Sequence, residues 1–139
     1  MQKFRNILGR VPTGVLTGVT LALILWLTLA PHPTGDMEIP LFPGADKLVH
    51  MIMFGFLTFI ALLETMKQRK WTILPLATIG VISIIVALMG IGIEILQRVM
   101  GLGRSFEILD ILADTAGAIG TGGIWAICQQ AIAKPNDSE

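Results

Sequence analysis

Four stretches of this chain are apolar almost throughout, and polar residues gather at their edges instead of recurring on one helical face. A helix that is hydrophobic all round belongs in lipid, and about 20 such residues cross a hydrocarbon core. The first stretch runs from about Val11 to Ala30 and ends at Pro31 and Pro33, where a helix must stop. The second runs from about Asp46 to Leu63, the third from about Ile73 to Gln97, and the fourth from about Phe106 to Ala133. This pattern predicts an all-α fold, an integral membrane four-helix bundle forming a single domain over residues 1–139.

The connections fit that frame. A loop rich in proline and acid, holding His32, Asp36 and Glu38, joins the first two spans. Glu64, Lys67, Arg69 and Lys70 form a short polar turn before the third span, with Trp71 placed as an interfacial anchor. Pro75 falls where a missing amide costs little. Gly80, Gly90 and Gly92 in the third span, and Gly117, Gly120, Gly122 and Gly123 in the fourth, predict close helix contact. Lysine and arginine set the orientation. With the N-terminus inside, Lys3, Arg5, Arg10, Lys67, Arg69, Lys70 and Lys134 are cytoplasmic, against Lys47, Arg98 and Arg104 outside. Both termini are thus expected in the cytoplasm. The basic flank of the first span also resembles the start of a secretory signal, with Thr28 and Ala30 as weak cleavage positions, but the apolar stretch is longer than a usual signal core.

Composition narrows the function classes. With 53% hydrophobic and 14% charged residues the chain lies outside the balance of soluble domains, and its zero net charge gives no footprint for nucleic acid. The single cysteine, Cys128, excludes a disulfide framework and a cysteine metal site, and reads as a packing residue.

The topology brings seven ionisable groups to the outer face: Asp46, Lys47 and His50 in the first turns of the second span, Glu94 near the end of the third, Arg104 in the following loop, and Asp110 and Asp114 early in the fourth. Spacings of four put Asp46 with His50, and Asp110 with Asp114, on shared faces, while Glu94 and Gln97 share one at a spacing of three. Asp110, Asp114 and Gly117 continue one stripe, which directs both carboxylates inward. A charge at mid-membrane costs about 2.5–3.5 kcal/mol on insertion scales, so Glu94 and Asp114 need partners, for which Lys47, Arg104 and His50 are candidates. Asp46 and Lys47 also suit structural roles, as a helix cap and a snorkelling cation. Gln97, Ser105 and Glu107 carry weaker signals.

Read in order, these residues give DKLVH at 46–50, EILQ at 94–97, Arg104, and DILADTAG at 110–117. The set resembles the VanZ-like family, small membrane proteins named for a member associated with teicoplanin resistance, whose pattern is close to DKxxH, ExxQ, an arginine and DxxxNxxG. The resemblance extends from Asp46 to about Gly120 and implies a four-helix membrane domain with an envelope role. It implies no established reaction. Asp114 stands where the family usually has asparagine.

The leading expectation is an outer-leaflet site that binds or processes an anionic phospholipid headgroup or lipid-linked envelope precursor, with enzymatic activity left open. Lys47 and Arg104 would contact phosphate, His50 would transfer a proton with Asp46 or Glu94 orienting it, Glu94 and Asp110 would share its catalytic work, and Asp46, Gln97 and Asp114 would help position substrate. No metal is assigned, although Glu94, Asp110 and Asp114 would suit Mg or Ca better than zinc. No HExxH, GxSxG or nearby cysteine supports a familiar catalytic device. A proton-coupled transporter or flippase is the second class, but the inner halves of the spans carry almost no charge, so a polar path would need a homo-oligomer. A noncatalytic protein whose polar cluster locks helices together is the third.

Overall fold

The computed structural model describes residues 2–30, 44–101 and 107–133. Those residues form five helices and no strand: α1 Gln2–Arg10, α2 Val15–Leu29, α3 Ala45–Gln68, α4 Leu76–Met100 and α5 Ile108–Ala133. Three of these, α3, α4 and α5, have 24, 25 and 26 residues and are apolar enough to cross a membrane. At 1.5 Å per residue they reach about 36–39 Å, longer than a hydrocarbon core.

The first expected span differs from the observed helices. Its start is broken between α1 and α2, leaving 15 residues in α2, a length of about 22 Å. Pro12 lacks an amide and disfavours helical backbone at Val11, while Gly14 takes a left-handed φ of 86°. Val15 then starts a new helix. Elsewhere the C-terminal ends shift outward, α3 continuing past Leu63 to Gln68 and α4 past Gln97 to Met100, while α4 begins later than expected, at Leu76 with Pro75 as its N-cap instead of at Ile73.

Glu64 explains how the broken segment is held. It is not part of a polar turn, as the sequence suggested, but a buried residue of α3 aimed at the start of α2. Its carboxylate accepts from the amides of Gly14 (3.1 Å), Leu16 (3.3 Å) and Thr17 (3.1 Å) and from Thr17 Oγ1 (2.6 Å). An anion at a helix N-terminus satisfies orphan amides and complements the helix dipole. Lys67 Nζ donates to Val11 O at 2.8 Å in the same region. The α3 terminus closes with Lys70 N–H to Lys67 O and Trp71 N–H to Met66 O, the paired bonds of a Schellman motif, with Lys70 at φ 52° where glycine is usual. Trp71 then sits under Arg5, whose guanidinium carbon is 5.1 Å from the ring centre, so this aromatic binds the N-terminal helix.

Two apolar clusters fill the interior. Ile24, Phe54, Leu57, Val86, Ala87, Ile93 and Ala118 join α2, α3, α4 and α5, while Leu62, Leu74 and Ile79 form a second near the Glu64 end. Three of the expected glycines make close contacts. A methyl group on Gly117 would strike Met51 O, one on Gly90 would meet Asp114, and one on Gly122 would strike Ser83 Oγ. Gly55, which the spacing of the other glycines does not predict, faces Gly117 and Thr121. Gly80, Gly92, Gly120 and Gly123 have open space and make no such contact among the described residues.

Candidate functional site

The first turns of α3, the last turns of α4 and the first turns of α5 meet at one end of the molecule. Among the described residues, buried His50, Glu94, Asp110 and Asp114 lie there, with Gln97 beside them. His50, Glu94 and Asp114 sit one to two turns from their helix ends and Asp110 in the first turn of α5, at the edge of apolar segments where unpaired charge is costly. Helix contact makes this possible: Gly117 lets α5 approach the α3 backbone at Met51, and Gly90 leaves the space that Asp114 fills.

Two arrangements organise the polar groups. Deep in the cluster, His50 Nδ1 is 3.0 Å from Asp114 Oδ1, and Asp114 is 1% exposed. Beside them Glu94, fully buried, accepts the backbone amide of Glu107 through Oε2 at 3.3 Å. At the rim, Lys47 Nζ binds Asp46 Oδ2 at 2.5 Å, the Glu107 carboxylate, and Asp110 Oδ1 at 3.0 Å. The Lys47 ammonium is thus the ion-pair partner of Asp110 Oδ1 as well.

The structure corrects part of the expected division of labour. Asp46 does not orient His50, because it points outward, more than half exposed, and is taken by Lys47. Nor is it the cap of its helix, a place held by Gly44. Asp114 holds the imidazole instead. Gln97 turns away from the cluster: its amide donates to Thr28 O at 2.7 Å and ties α4 to the end of α2. Arg104 and Ser105 lie outside the described residues, as do His32, Asp36 and Glu38.

Glu107, which carried a weak signal, is central, joining Lys47 through its carboxylate and Glu94 through its amide, while its carbonyl accepts from Asp110 and Ile111 at the start of α5. Its place one residue before an apolar helix was the available clue. Glu64 was missed as a buried group, although an acid adjoining Leu62 and Leu63 in a spanning helix is itself a signal.

The order of these groups along the chain is matched by their meeting in space, and the sequence matches the VanZ/LLP1 family model over residues 1–129. The chain belongs to the VanZ/LLP1 family. Comparison with curated proteins and with solved structures returns no match. Family membership and three membrane-length apolar helices make this VanZ/LLP1 protein a multi-pass membrane protein.

A different feature occupies the other end of the α3–α5 seam. An apolar cavity of about 330 Å³ is lined by Phe59, Met66, Thr121, Trp125, Cys128 and Gln129. Cys128 is exposed at its edge, not a buried packing residue. Phe59 and Trp125 meet edge to face at 5.7 Å. This cavity is separate from the polar cluster and lacks its charged groups.

Chemically, the described residues at the polar end of this VanZ/LLP1 protein offer an oriented imidazole, the Lys47 cation at the rim, and buried carboxylates with spare acceptor capacity. Such a set can bind a polar headgroup, hold a cation or move a proton.

Proposed function

We propose that this VanZ/LLP1 protein is a four-span bundle of α2 to α5 in the bacterial cytoplasmic membrane, both termini cytoplasmic, whose polar end binds an anionic phospholipid headgroup or lipid-linked precursor in the outer leaflet. The observation that carries this reading is the buried His50–Asp114 pair next to Glu94, with the partly exposed Lys47 above it. Buried polar groups in a membrane segment are expensive, and a cluster near helix ends suits a ligand at headgroup depth. Lys47, and Arg104 in the adjoining loop, supply positive charge for phosphate. His50, with Nδ1 against Asp114, presents its second nitrogen as the proton-transfer group, with Glu94 and Asp110 at its sides.

The orientation rests on basic residues. Arg5, Lys67, Arg69 and Lys70 gather where α1 meets the end of α3, opposite the polar cluster. A transport role finds less support, because the buried acid near the other end, Glu64, is consumed in capping α2. A noncatalytic clamp has one observation in its favour: His50–Asp114 and Gln97–Thr28 both join separate helices.

Lipids retained after gentle purification, identified by mass spectrometry, test the reading. One anionic species should be enriched on the wild type and lost from His50→Ala and Arg104→Ala. Equal retention by folded variants would remove the headgroup assignment. A clamp predicts instead a large loss of thermal stability in lipid-free detergent and no selective lipid.

A further inference from the structure

The polar cluster contains acceptors that the described protein does not satisfy. Glu94 Oε1 and Asp114 Oδ2 are buried without a hydrogen-bond partner, in side chains 0% and 1% exposed, and Asp110 Oδ1 has only its charge contact with Lys47. Unmatched acceptors at this depth call for a donor or a cation. Among the described residues the balance favours a cation: Glu94, Asp110 and Asp114 bring three carboxylates, while Lys47 contacts only Asp110 of the three and also binds Asp46 and Glu107. That sharing leaves Lys47 poorly placed to bind a phosphate by itself.

The donors also converge. One nitrogen of His50, one carboxylate oxygen of Glu94 and one of Asp110 lie within 4.8 Å of one another. Ligands about 2.1 Å from a common ion are at most about 4.2 Å apart, so small side-chain movements close the set. A second acidic trio, Asp46, Glu107 and Asp110, is already centred on the Lys47 ammonium.

We propose that His50, Glu94 and Asp110 hold one divalent first-row transition cation, Mn²⁺ or Zn²⁺, with Asp114 as the positioning residue behind the histidine. Asp114 Oδ1 accepts Nδ1–H and leaves the Nε2 lone pair for the ion, the arrangement in which a carboxylate fixes the tautomer of a metal-bound imidazole. Mixed nitrogen and oxygen donors suit these ions better than Mg²⁺ or Ca²⁺, for which all-oxygen sets are usual. Three protein donors leave coordination positions for water or a phosphate oxygen. The phosphate role rests on the headgroup reading above, whereas cation binding does not and is measured without lipid.

The full chain, stripped with chelator in detergent, is dialysed against Mn²⁺ or Zn²⁺ alone and its metal content measured. About one equivalent should bind and resist exchange by equal Mg²⁺. Echo-modulation spectra of the Mn²⁺ form should show one coordinated imidazole nitrogen, lost in His50→Gln. Glu94→Gln and Asp110→Asn should each weaken binding about tenfold or more, and Asp114→Asn about tenfold while retaining thermal stability. Asp46→Asn should bind as wild type. Folded wild-type protein that takes up neither ion overturns the assignment, as a site neutralised by protons would behave, even if selective lipid retention persists. Equal uptake by Glu94→Gln and Asp110→Asn overturns it as well. If one of these variants does not elute as a monodisperse helical protein, the other and the nitrogen signature decide.

Discussion

His50 Nδ1 and Asp114 Oδ1 stand 3.0 Å apart although 64 residues separate them, joining α3 to α5 inside the apolar part of the molecule. Removing the carboxylate strands a buried imidazole, and an unsatisfied buried polar group costs about 1–3 kcal/mol. Asp114→Ala should therefore lower the unfolding temperature clearly, because it also empties the space beside Gly90. Asp114→Asn keeps an acceptor oxygen and the side-chain shape, and should cost less than about 1 kcal/mol. Thermal unfolding in one detergent compares them, and equal losses would show that the bond does not hold the helices.

The seam between α3 and α5 makes a sharper steric prediction. A Cβ at Gly117 would strike the Met51 carbonyl and crowd Gly55 N, both backbone, so the helices must separate. Gly117→Ala should destabilise by about 1–3 kcal/mol. Gly120→Ala, in open space three residues on, should be neutral or slightly stabilising, since alanine is the better helix former by up to about 1 kcal/mol. Circular dichroism melts of the two variants check the contrast.

Glu64 and Thr17 should behave as one capping unit. Glu64→Ala releases three amides and a hydroxyl at the start of α2 and should cost about 1–3 kcal/mol, with Thr17→Ala costing about 1 kcal/mol. The double variant should lose less than the sum. Hydrogen exchange at Gly14, Leu16 and Thr17 should rise in Glu64→Ala; unchanged exchange would mean the carboxylate does not cap the helix.

Orientation is testable in whole cells. In a Cys128→Ala background, Glu107→Cys should react with a membrane-impermeant maleimide and Lys70→Cys should react only after permeabilisation. The reverse pattern would put the polar cluster on the cytoplasmic side.

Much of the architecture was legible in the chain because a bilayer imposes length and hydrophobicity on each segment. The apolar runs around α3, α4 and α5 meet that demand, and the order DKLVH, EILQ and DILADTAG marks the family. Helix spacing likewise directs Asp110 and Asp114 inward, and both are buried, as are His50 and Glu94. Spacing cannot decide which buried groups touch. Within one helix Asp46 and His50 share a face, yet their angular offset sends Asp46 outward to Lys47 while His50 meets an aspartate from another helix. Gln97 and Glu64 similarly look like members of a polar cluster and a polar turn until their partners, Thr28 and the start of α2, are seen. A helical membrane protein with charges near its helix ends is legible in the chain alone, because local hydrophobic length is written residue by residue. The partners of those charges come from packing. Those depend on how closely Gly90 and Gly117 let the helices approach, and on which donor reaches each buried acceptor once they have.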